Sequence, residues 1–154
     1  MLKSDLHLHA QEDKQDRINY TAKDLIRLAA KQKFDVLSFT FHDSFFYPSS
    51  LISFAKTRGI TLIPGTELTI HGRHVLIHGI KKLPKARELS DLEKIKDHAI
   101  ITAPHPYFPT SNALKEQLLQ NISVFDNIEY TARYNYLVNF NRKAEAIATQ
   151  FKKP

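Results

Sequence analysis

The sequence contains no cysteine. That excludes disulfides, thiolate metal ligands and cysteine nucleophiles together, so any metal ion must be held by histidine and carboxylate. No apolar run approaches the roughly 18 residues needed to cross a bilayer. The N-terminus carries no basic flank followed by an apolar core, so it does not read as a signal peptide, and a cytoplasmic location is expected. Internal repeats, linkers and low-complexity stretches are also missing. The 154 residues are therefore expected to form a single domain, long enough to bury a core. No block of like charge is present: the formal charge of +6 is scattered, with pairs at Lys81-Lys82, Arg142-Lys143 and Lys152-Lys153. Solvated surface cations are a plainer reading of this than a nucleic-acid footprint. The sign of the charge still favours acidic partners, such as a small phosphorylated substrate.

What is present alternates between strand and helix. Residues 2–9 read as a strand. Thr21 is a candidate N-cap for a helix carrying Leu25, Ile26, Leu28 and Ala29 on one face. "DVLSFTF" (35–41) reads as a second strand, "SSLISFAKTRG" as a short helix ended by Gly59, and "ITLIPGTEL" (60–68) as a third strand. "TIHGRHVLIHGI" reads as a hairpin turning at His71-Gly72-Arg73. A helix over 88–96, a strand at 98–103, a helix in "SNALKEQLLQN", a strand at 124–130 and a closing helix in "NYLVNFNRKAEAIATQF" complete the pattern. Repeated β-then-α units predict an α/β fold with a parallel sheet, open or curled into a barrel, whose functional residues gather at the carboxyl ends of the strands.

The histidines fall where that rule points. His7 and His9 end the first strand, His42 ends the second, Glu67 the third, and His105 follows the strand at 98–103. His74 and His78 lie four apart on the return strand of the hairpin, hence on one face, and spacing alone does not choose between them. Taken singly, a histidine at a strand end is more often a surface or capped residue. Recurrence at successive strand ends is what makes a metal site the better reading. Imidazole and carboxylate without thiolate suit Zn²⁺, Mn²⁺ or Fe²⁺, and a carboxylate able to bridge suggests two or three ions. His71 is expected in the turn and His98 at a strand start, neither as a ligand.

These stretches resemble the polymerase and histidinol phosphatase (PHP) family of metal-dependent phosphoesterases. "DLHLHA" is similar to the family's opening D-L-H-x-H, "SFTFHDS" to its T-D-H motif, and "IPGTELTIHGRHVLIHGI" to its G-x-E strand and following hairpin. "ITAPHPY" resembles its A-H-P motif, and "FDNIEY" followed by "NRKAEAIA" its I-E-V strand and N-x-K-A helix. The resemblance implies a distorted (β/α) barrel in which bound metals activate a water against a phosphomonoester or nucleotide-type phosphate. It implies His7, His9 and Glu67 at a first ion, Glu67 bridging to a second ion with His74 and His105, and His42 at a third ion or on substrate phosphate. The H-V-L context favours His74 over His78.

The chain departs from the pattern at several points. Phe41 stands where the family has Asp, with Asp43 two residues on, and Asp16 is the nearest substitute for a histidine the family carries after its opening motif. Asp43 and Asp16 are the candidate catalytic carboxylates, and Arg73 and Arg133 the candidates for binding substrate charge. The family's last Ser-Asp-x-His motif has no counterpart before Pro154, so the barrel is expected to lack its final strands. A domain of the same type that binds metal without catalysis is the alternative these departures suggest.

Overall fold

The computed structural model describes residues 2–132, 134 and 137–154. Two compact units form, Met1–Glu67 with His78–Pro84, and Leu68–Ile77 with Lys85–Pro154. The architecture is mixed α/β with two sheets, and among the described residues neither closes into a barrel. No helix among the described residues is long and apolar enough to cross a membrane.

The first unit contains β1 (Ser4–Leu8), α1 (Ala22–Lys31), β2 (Val36–Phe39), α2 (Ser49–Lys56) and β3 (Thr61–Leu62), with β1, β2 and β3 side by side and parallel. Thr21 caps α1 as expected. Its hydroxyl accepts from the Asp24 N–H, and the Asp24 carboxylate accepts from the Thr21 N–H, a reciprocal box built with Asp in place of the usual Glu. Ala22, Ile26 and Ala29 are buried beneath α1, whereas Leu28 is 51% exposed. At about 100° per residue, Leu28 lies about 200° around the helix from Ile26, so it leaves the apolar face on which the sequence pattern had set it. After α2 the chain turns through Gly59 at φ +74, and Ile60 returns its N–H to the Ala55 carbonyl. Leu37, Phe39, Phe41, Ile26, Leu51, Ala55 and Leu62 fill the core below.

The expected strand 60–68 is two strands. Pro64 has no N–H to give a ladder, and it separates β3 from β4 (Gly65–Ile70), which belongs to the other sheet. Gly65 is required by its neighbours. A Cβ there would lie 2.6 Å from Ser38 Oγ, 2.9 Å from His78 Nδ1 and 3.0 Å from Thr40 Cγ2. Gly65→Ala is expected to cost about 1–3 kcal/mol through overpacking; an unchanged urea midpoint would show that these neighbours yield freely.

The four-stranded sheet has the order β4–β5–β6–β7, with β5 at Arg73–His78, β6 at Ile100–Ala103 and β7 at Asn127–Ile128. The hairpin tip is His71-Gly72, both at positive φ (47° and 71°), as a two-residue type I′ turn demands. In the second unit β6 and β7 pair in parallel, Thr102 opposite Asn127 and Ala103 opposite Ile128. The expected helix over 88–96 is a 3-10 helix, Leu89–Ile95, and the expected helix in "SNALKEQLLQN" shortens to α3, Glu116–Gln120. Of the expected closing helix, Asn135 and Tyr136 lie outside the described residues, and α4 begins at Asn141 and runs to Phe151. Side chains explain its late start. Asn139 Oδ1 accepts the Asn141 N–H at 2.9 Å, and buried Asn141 both accepts from the Thr131 N–H and donates to its carbonyl.

Candidate metal centre

In the first unit, backbone pairing sets the site. β1 carries one extra residue relative to β2 between the Asp5–Leu37 and Leu8–Phe39 pairs, so Leu6 and His7 sit in a bulge. Such bulges re-aim side chains at sheet margins. His7 and His9 end with ring centroids 5.2 Å apart. His42, just beyond β2, bridges in parallel to Glu67: the Asp43 N–H donates to the Glu67 carbonyl at 2.9 Å and the Glu67 N–H to Phe41 at 3.3 Å. Paired residues on adjacent strands present their side chains to the same face. The pairing therefore sets the His42 ring beside the Glu67 carboxylate. Glu67 is the third residue of β4, and not at a strand end as its sequence position suggested.

Glu67 is 1% exposed, and its Oε2 is met by three imidazoles. His9 Nε2 lies at 3.1 Å, His42 Nε2 at 3.2 Å and His7 Nε2 at 3.3 Å. The His9 and His42 rings stack at 4.5 Å. On their far side is a residue the sequence reading passed over, Asp13, only 2% exposed. Its Oδ2 lies 2.8 Å from His9 Nδ1 and 2.9 Å from His42 Nδ1, and accepts the His42 backbone N–H at 3.0 Å. Two buried carboxylates among three imidazoles require positive charge, as protons on the rings or as a cation among them.

The pKa shifts follow from this. Burial alone would push His9 down, but its hydrogen bonds to Glu67 and Asp13 and the Glu67 charge outweigh burial and leave it raised. Asp13, which burial alone would raise, is held low by hydrogen bonds from His9, His42 and Gln15.

The distances to Glu67 are of a kind that could hold a metal ion. With ligand bonds of about 2.0–2.1 Å, the nitrogen–oxygen edge of a tetrahedral site is about 3.3 Å. The three Glu67 contacts lie at or slightly inside that edge. His7, His9 and Glu67 each offer an atom to one such group, all within 4.8 Å of one another, and His9, Asp13, Asp16 and His42 form another.

No family model matches the chain, and no curated protein matches it. The site therefore stands on its geometry.

The remaining candidates divide as follows. Asp16 is at the rim, its Oδ2 3.5 Å from His9 Nδ1 and 3.9 Å from His42 Nδ1. Asp43 has a left-handed backbone (φ 47) and accepts from Gln15 Nε2 at 3.3 Å. His78 is buried, with Nδ1 3.2 Å from Ser38 Oγ.

In the second unit, His74 and His105 have ring centroids 5.8 Å apart, and both are 9% exposed. Asn112 Nδ2 lies 3.2 Å from His74 Nε2. His105 has φ 30 although Pro106 follows it, a strained conformation of the kind that gathers at functional sites; its N–H donates to Glu129 Oε2. Arg73 Nη1 donates to the carbonyls of Ser111 and Ala113, so this guanidinium fastens a loop. Arg133 lies outside the described residues. His71 is in the turn, its Nε2 2.8 Å from Glu88 Oε1, and His98 is exposed ahead of β6.

Proposed function

We propose that the first unit binds a divalent metal ion through His7, His9, His42 and Glu67, and that the protein is a PHP-type phosphoesterase hydrolysing a phosphomonoester or nucleotide-type phosphate. The observation that carries this reading is the convergence of three imidazole Nε2 atoms on one oxygen of a buried glutamate. A zinc, manganese or iron ion bound there supplies a Lewis acid that lowers the pKa of a water and polarises a phosphoryl oxygen. The chain does the rest. Glu67 is held in line by its backbone pairing to His42, Asp16 stands at the rim as a carrier for a proton, and the net charge of +6 draws an anionic substrate. His74 and His105 would contribute to a further ion. The finer reading of the fold is the family's distorted (β/α) barrel, supported by the alternation of strand and helix and by the parallel pairings β1–β2–β3 and β6–β7.

One observation favours metal binding without catalysis. Phe41, where the family has Asp, is 1% exposed and stacked on Phe46 at 4.7 Å, so that position belongs to the core and offers no carboxylate.

A single experiment separates the two readings. Protein purified without chelator is assayed for metal by elemental analysis and for turnover of p-nitrophenyl phosphate with added Mn²⁺ or Zn²⁺. Metal with turnover abolished by His9→Ala is expected. Metal without turnover would select the non-catalytic reading, and no metal would dismiss both.

A further inference from the structure

We propose that Asp13 is a shared positioning carboxylate that holds His9 and His42 as Nδ1–H tautomers, so that both Nε2 lone pairs are directed at the ion beside Glu67. The inference rests on the metal-centre reading above and assigns a role to a residue outside its ligand set.

Distances separate the two carboxylates. Glu67 Oε2 stands 3.1–3.3 Å from its three nitrogens, close to the edge of about 3.3 Å in a tetrahedral zinc site. Asp13 Oδ2 stands 2.8 and 2.9 Å from the Nδ1 atoms of His9 and His42, short of that edge and typical of a charge-assisted N–H···O⁻ bond.

Chemistry fixes the direction of those bonds. An ionised carboxylate only accepts, and of the two carboxylates Asp13 lies closer to each ring, so in a neutral ring the hydrogen sits on Nδ1 and the lone pair on Nε2. Both Nε2 atoms face Glu67. A proton at Nε2, as in the hydrogen bond from His9 to Glu67, leaves when a divalent cation takes the lone pair. A carboxylate behind a ligating imidazole fixes its tautomer and orientation and raises its basicity; here one carboxylate serves two rings.

Asp13 is itself held rigidly. Its Oδ2 accepts the His42 N–H, its Oδ1 accepts the Gln15 N–H at 3.1 Å, and its own N–H donates to the Ala10 carbonyl at 2.9 Å. It is more deeply buried than Asp16, whose side chain is 37% exposed and whose oxygen lies farther from both rings.

The test reads tautomers directly. Long-range ¹H–¹⁵N spectra of ¹⁵N-histidine-labelled protein are recorded metal-free at pH 9 and again with one equivalent of Zn²⁺. His9 and His42 are expected to show Nδ1–H in both states, with zinc perturbing Nε2. In Asp13→Asn, zinc affinity should fall about 10–100-fold at unchanged stoichiometry, and at least one of the two rings should lose its fixed tautomer. Zinc on Nδ1 of either ring, or a stoichiometry in Asp13→Asn lower by one whole ion, would overturn the proposal by making Asp13 a ligand. Unchanged affinity in the variant would overturn it too. If the variant fails to fold, the wild-type spectra still decide. Nδ1–H signals in a protein that takes up no zinc would support the tautomer role and dismiss the metal reading alone.

Discussion

Glu67→Gln is expected to weaken zinc binding by more than about 100-fold, beyond what the loss of an outer partner costs. The substitution keeps the side chain's volume and one carbonyl oxygen but removes the charge on which three imidazole nitrogens converge. The backbone pairing with His42 uses main-chain groups only, so the local fold should persist. Competition titration against a chromogenic chelator, with metal content measured by elemental analysis, provides the readout.

The metal-free protein should respond as well. His9 is raised in the folded state, so its contribution to stability is complete below the unfolded value of about 6.5 and is lost as pH rises through the folded value. Glu67 is one of the groups that raise it. The Gln variant should therefore show a smaller loss of stability on the alkaline side of that range. Wild-type zinc affinity in Glu67→Gln would place the ion elsewhere, and the metal-centre reading would fall.

How much of this was legible in the sequence depends on whether a residue obeys a period. His7, His9 and His42 were legible because strands alternate and β-then-α units bring strand ends to one edge. The cap at Thr21 was legible because Thr followed three residues later by an acid is a local signal. Glu67 is legible only in part. The run 60–68 breaks at Pro64, so Glu67 reaches the imidazoles from inside β4 through its bridge to His42. Asp13 is not legible in this way. It lies in the irregular stretch between β1 and α1, where no period applies, and its place is set by a turn hydrogen bond to Ala10 and by side chains nearly thirty residues away. The one available signal was its spacing, four residues after His9. The late start of α4 was illegible for a related reason: Asn139 and Asn141 compete locally with the helix, and apolar periodicity does not register that.

The choice between His74 and His78, which spacing left open, has a measurable counterpart in stability. His78 is 3% exposed with Nδ1 against Ser38 Oγ, and burial, with a smaller push from the charge of His7, lowers its pKa to about 4. The unfolded chain takes up a proton at this residue near pH 6.5, whereas the folded chain refuses it until near pH 4. Between those values the unfolded state binds more protons, so stability must fall as pH falls. A gap of about 2.5 pH units corresponds to about 3 kcal/mol. His78→Asn keeps an amide oxygen near the position of Nδ1 for Ser38 while removing the titration. At pH 7 the variant should be the less stable, because the smaller side chain leaves a gap in a packed region. On acidification to pH 4 its deficit should shrink by about 3 kcal/mol, since the carboxylates common to both proteins cancel in the comparison. Urea unfolding of metal-free protein at intervals across that range gives the two curves. Parallel curves would mean that His78 takes up its proton in the folded state as readily as in the unfolded chain, leaving it as open to a cation as the three imidazoles around Glu67.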